Sequence, residues 1–89
     1  MNLITEQIPL LRLIIREKAL VKLLKTIDNK EYHTRELLKR LGAYGYGHKL
    51  LVKAHKIKLV ERRVVKNKIY NRLTTKGKEL VKLAREIGV

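Results

Sequence analysis

At 89 residues the chain can build one domain with a modest core, with little room beside it for a buried catalytic cavity. The absence of Cys removes disulfides and thiolate metal sites, and the absence of Ser, with acids that are scattered, removes the usual nucleophiles and carboxylate dyads. The net charge of +14 is concentrated: Leu37 to Lys78 holds thirteen Lys or Arg against one acid, Glu61, a local +12, whereas the remaining residues carry nine bases and seven acids.

A surface built only for solubility would mix the two signs, so one-sided charge points to a polyanionic partner. No apolar run exceeds three residues, and the N-terminus lacks a basic start followed by an apolar segment. Neither a membrane span nor a signal peptide is therefore expected, and the expected location is cytoplasmic and nucleoid-associated. Plentiful Lys, Glu, Ile and Leu with a single Gln lean towards a thermophile.

Residues 1–8 are read as a loosely held arm, and Pro9 as the first turn of a helix over 9–27 that ends at Asp28-Asn29. Leu13, Leu20, Leu24 and Ile27 form its apolar stripe, which Leu10, Leu11, Ile14 and Ile15 widen beyond what one contact needs. Two surfaces can cover the extra side chains: the last helix of the same chain, or a second copy in a symmetric homodimer whose interface is Leu10, Leu11, Ile14 and Ile15. Lys30 to His33 has the length of a short edge strand.

Thr34 is expected to cap a helix over 34–41 in which Leu37, Leu38 and Leu41 face inward and Gly42 forms the stop. A second short helix is expected over 46–57. Leu50, Leu51, Ala54 and Ile57 fall on one of its sides, and Lys49, Val52, Lys53 and Lys56 on the other. Two short helices joined across glycines form a helix-turn-helix. The residues over 59–73 then read as a basic hairpin, with strand-forming runs on both sides of Lys66-Asn67-Lys68. A last helix over 75–87 has Thr74 or Thr75 as cap, Leu80, Val81, Ala84 and Ile87 as its buried stripe, and Gly88 as its end. The expected fold is α+β: a winged helix-turn-helix with a three-helix core, a two- or three-stranded β-wing and a C-terminal helix.

The segment Ile57-Lys-Leu-Val-Glu-Arg-Arg63, a wing, and then Tyr70-Asn-Arg-Leu-Thr-Thr-Lys-Gly77 before a Leu/Val helix resembles winged-helix regulators of the MarR type and their small archaeal relatives. In those families a Gly-Leu-Val-like step follows the recognition helix, and Leu-Thr-x-Lys-Gly opens the helix after the wing. The resemblance spans roughly residues 10–88 and implies binding of double-stranded DNA. This chain has Lys58 where the family usually has Gly. A positive φ there would cost on the order of 1 kcal/mol, so the helix is expected to stop differently.

In a helix-turn-helix the second helix leads into the major groove with its N-terminal residues. That entrance is Tyr44, Tyr46 and His48, which offer hydrogen bonds, followed by Lys49, Lys53 and Lys56 for guanine or phosphate and Val52 for a thymine methyl. Tyr44 or Tyr46 can alternatively pack into the core with its hydroxyl at the surface. Arg62, Arg63, Lys66, Asn67 and Lys68 form a second basic group, in which strand alternation forbids Arg62 and Arg63 from making the same contact. Lys66 and Lys68 suit phosphates or the minor groove, and Arg35 and Lys39 suit backbone phosphates. Charged hairpin tips are also ordinary solvated surface.

The glycines before His48 do not form a phosphate loop, because His48 stands where Lys is required and no strand precedes them. His48 and His55 are roughly 10 Å apart along a helix, too far to share a metal. No enzyme activity, cofactor, metal or small-molecule effector is expected. The reading is a homodimeric, DNA-binding transcriptional regulator. Its alternatives are an architectural protein that binds DNA without sequence preference and a protein-docking module; structured RNA fits poorly, because its major groove is too narrow.

Overall fold

A computed structural model of the chain describes residues 3–89, with side chains described from residue 7 onward. The element order is α1 (Leu3–Arg16), α2 (Lys18–Ile27), β1 (Tyr32–His33), α3 (Thr34–Leu41), α4 (Tyr44–Lys56), β2 (Val60–Val65), β3 (Lys68–Leu73) and α5 (Thr75–Glu86). This is a winged helix-turn-helix: α3 and α4 are joined through Gly42 and Ala43, the β2–β3 hairpin is the wing, and α5 returns to the helical core. The sheet is antiparallel with order β1-β3-β2, so the brief strand before α3 makes the wing's sheet three-stranded.

The single helix expected over 9–27 is two helices, and the first begins at Leu3, which places Pro9 inside α1 and makes the described part of the arm helical. Glu17, at φ −116° and ψ 62°, separates them. The break gives the two apolar faces separate directions, as the overly wide apolar stripe requires: α1 packs on α5 and α2, while α2 also reaches α3, α4 and β3. Leu20, Leu23, Leu24 and Ile27 of α2 are at most 1% exposed, which makes this helix the centre of the core. Leu37, Leu50, Leu51, Ala54, Leu59, Leu73, Leu80 and Ala84 close around it. Burial of each such Leu contributes roughly 1.5–3 kcal/mol.

The cap of α3 differs by one position from the expected one. His33 is the N-cap, Thr34 is the first helical residue, and the Thr34 hydroxyl accepts a hydrogen bond from Asn71. Gly42 ends α3 in the left-handed region at φ 76°, as expected from its lack of a Cβ. Helix α4 starts at Tyr44, two residues before the expected start at 46, and ends at Lys56.

Lys58 does take a positive φ, 64°, contrary to the expected avoidance. Its N–H donates to the His55 carbonyl (3.1 Å) and the Leu59 N–H to the Ala54 carbonyl (2.8 Å), the paired bonds of a Schellman closure. The start of α5 holds this turn from the other side. The Thr74 hydroxyl donates to the Lys58 carbonyl (2.6 Å) and accepts from the Gly77 N–H (3.1 Å), while the Thr74 N–H donates to the Leu59 carbonyl (3.0 Å). A Cβ on Gly77 would lie 2.1 Å from that same carbonyl oxygen. The Leu73-Thr-Thr-Lys-Gly77 motif is thus a clamp on the turn between α4 and the wing, and it stabilises the left-handed Lys58 by satisfying the carbonyls of Lys58 and Leu59.

Candidate nucleic-acid interface

Helix α4 buries Gly47, Leu50, Leu51 and Ala54, which leaves Tyr44, Tyr46, His48, Lys49, Val52, Lys53 and Lys56 exposed. Tyr44 and Tyr46 are 55% and 59% exposed and are not core residues. Gly47 allows α3 to approach closely, since a Cβ there would meet Leu38 and Leu41 side-chain carbons at 3.0 Å.

The wing's register sorts its side chains into two faces. Val60, Arg62 and Val64 share one face with Leu73, Asn71 and Ile69; Glu61, Arg63 and Val65 share the other with Arg72, Tyr70 and Lys68. The first face begins in the core at Val60 and Leu73 and continues outward into an open cleft against α4. His48, Val52, Lys56, Arg62 and Ile69 line the cleft, with Thr34, His55 and Asn71 at its base. Val64, on the same face, is 70% exposed.

The structure therefore brings His48, Val52, Lys56 and Arg62 together and engages two expected contacts elsewhere. Lys53 donates to Glu17 at 2.8 Å on another flank of α4. Arg63 pairs with Glu31 on the outer face of the sheet, where Arg72 also meets Glu31 and Glu61. The hydrogen bond from Arg63 holds the Glu31 carboxyl below the usual carboxylate range, aided by the charges of Arg63 and Arg72 and opposed by partial burial. The same pairing raises the Arg63 guanidinium further above its already high value.

The other ion pairs, Glu36–Arg40 and Asp28–Arg85, also lie outside the cleft. Among the described residues no carboxylate lines the cleft, and Lys49, Lys56, Arg62, Lys66 and Lys68 enter no ion pair. Lys66 and Asn67 form the wing's two-residue turn, with φ of 47° and 68°, and Lys68 belongs to β3. Arg35 and Lys39 are exposed one turn apart on α3.

Of the four residues expected at a subunit interface, Leu10 and Ile14 are buried within the chain, Leu11 is half-buried against the same core, and Ile15 is 68% exposed. Contact between α1 and α5 of one chain accounts for the buried pair.

Sequence reading missed Asn71, Ile69 and the part played by His55. Asn71 is fully buried; its amide nitrogen donates to the Tyr32 carbonyl (3.2 Å) and the Thr34 hydroxyl (2.9 Å), and its oxygen lies 3.0 Å from His55 Nε2. The signal was present in the alternation Ile69-x-Asn71-x-Leu73, which places a polar residue on the core side of a strand. Among the described residues no group of three His, Asp or Glu side chains converges on a metal site, and no helix is long and apolar enough to cross a membrane.

No family model matches the chain, and no curated protein matches it. Among solved structures, the crystal structure of AF1382 from Archaeoglobus fulgidus is similar, with a TM-score of 0.69 over 85% of this chain and 91% of that one. The two share 18% sequence identity, so the likeness is one of fold.

Proposed function

We propose that the protein binds double-stranded DNA and acts as a homodimeric transcriptional regulator, with α4 in the major groove and the wing on the backbone or the adjacent minor groove. The observation that carries this reading is the separation of charge. Acids on the other faces neutralise Lys53, Arg63, Arg72, Arg40 and Arg85, while the cations of the cleft and wing turn keep their full charge. Such an acid-free, concave cationic surface beside an exposed helix complements a phosphate backbone. The exposed Ile15 and Ile8 are apolar side chains of α1 open to a second copy. The MarR-type resemblance supports the regulatory role, and neither an enzyme activity nor an effector site forms part of this reading.

A second reading, sequence-independent architectural binding, is favoured by one feature: apart from Val52, the exposed side of α4 offers Lys, His and Tyr and no Asn, Gln or Arg for bidentate base contacts. A titration of random and pool-selected duplexes at two salt concentrations tests both. With about five phosphates neutralised per subunit, log affinity falls against log salt with a slope of about −4 to −5. A selected sequence held at least about a hundredfold more tightly than random DNA identifies a regulator, and equal affinities identify an architectural protein. Failure to bind either duplex removes both readings in favour of a protein-docking module.

A further inference from the structure

The base of the cleft contains a polar chain that the contacts proposed above do not use. Thr34 at the start of α3, Asn71 on β3 and His55 on α4 are joined through the Asn71 amide. The Tyr32 carbonyl can only accept, so the nitrogen of the amide must face it and the oxygen must face His55. The oxygen then needs a hydrogen from His55 Nε2, which fixes the tautomer of the neutral ring and leaves Nδ1 as a lone pair. The bond also ties the outward helix to the wing, and the Thr34 bond ties the wing to α3.

The charges around this ring all have one sign. Helix α4 contributes Lys56 and β2 contributes Arg62; His48 of α4 lines the cleft too, and α3 and β3 present the uncharged Thr34, Asn71 and Ile69. Helix α2 packs on α4 as well, and the nearby Glu17 is taken by Lys53, which is not among the cleft residues. His33, the remaining histidine, lies edge-on to Tyr70 of the sheet's outer face, with ring centroids 5.9 Å apart.

We propose that the Thr34–Asn71–His55 chain positions α4 against the wing and makes nucleic-acid binding proton-linked, with His55 gaining a proton on Nδ1 when phosphate occupies the cleft. This rests on the DNA-binding reading above. Phosphate oxygens only accept hydrogen bonds, and a neutral ring whose single N–H is committed to Asn71 has nothing to donate to them. A proton from solvent converts Nδ1 into a charged donor, while Asn71 retains the Nε2 hydrogen throughout. By linkage, the affinity rises as pH falls.

The test is the affinity of a random duplex at constant ionic strength across the pH range where imidazole titrates, about pH 6 to 8, for the wild type, His55→Gln and His33→Gln. Uptake of between half a proton and one proton weakens binding about three- to tenfold per pH unit in the wild type. His55→Gln, whose amide N–H can still reach Asn71 but cannot titrate, flattens this slope, and His33→Gln, outside the cleft, retains it. Calorimetry of the wild type in two buffers of different ionisation heat counts the protons without any variant, so a poorly folded substitution leaves the proposal testable. A slope that survives in His55→Gln, or is lost in His33→Gln instead, overturns the assignment to His55. Salt-dependent binding with no pH slope and no proton uptake overturns the inference and leaves DNA binding standing; no binding at any pH overturns both.

Discussion

Lys58 shows how one residue can depart from its expected conformation because its surroundings outweigh it. Its left-handed backbone is disfavoured by roughly 1 kcal/mol for a residue with a Cβ, yet it lies where two Schellman bonds and the Thr74 hydroxyl converge. Lys58→Gly therefore stabilises the fold by about 0.5–1 kcal/mol, which thermal denaturation reads as a rise of a few degrees in Tm. The reverse experiment lies across the same turn. Gly77→Ala places a methyl 2.1 Å from the Leu59 carbonyl oxygen, which is backbone and cannot swing aside. The expected loss is about 3 kcal/mol or more, enough to lower the urea midpoint sharply or prevent folding.

Among the elements, the wing shows most clearly how stability and binding can be separated. Its turn places Lys66 and Asn67 at positive φ, the pattern of a type I′ hairpin, where Asn-Gly is preferred. The double change Lys66→Asn with Asn67→Gly relieves strain and removes one exposed cation. Melting temperature should rise while DNA affinity falls and the salt slope becomes shallower by about one. At the base of the sheet, Glu31 links the segment before β1 to Arg63 and Arg72. Its carboxyl is held below the ordinary value of 4.5, so this contribution to stability is present in full above that value and lost as pH falls through the lowered one. Urea midpoints of the wild type and Glu31→Gln should differ at neutral pH and converge as the pH falls through the lowered value of the Glu31 carboxyl.

For the whole molecule, the consequential feature is which side of the sheet a cation occupies. Arg62 and Arg63 are adjacent in sequence, yet one lines the cleft and the other is paired with Glu31. Arg62→Ala should weaken duplex binding several-fold and reduce the salt slope by about one; Arg63→Ala should affect binding less and stability more. Equal losses of affinity from the two substitutions, measured by fluorescence anisotropy, would remove the cleft from the interface. The same contrast separates Lys56 from Lys53, which Glu17 engages.

The winged plan was legible in the chain because it depends on local periodicity, on Gly42 as a stop and on strand-forming runs beside a polar turn, all of which act within a few residues. The alternation that separates Arg62 from Arg63 is local too. The break at Glu17 was hidden, because nothing in that stretch prohibits a continuous helix; it is set by α1 finding α5 while α2 packs against α4. For the same reason Leu10 and Ile14, candidates for a second copy in sequence, are buried within one chain. The acid that meets each paired cation, and the Asn71 chain under the cleft, mostly join residues far apart in sequence, as distant as Asp28 and Arg85. Sequence alone determined how much positive charge the protein carries; the tertiary structure decided where that charge is neutralised, because partners are chosen by distance in space.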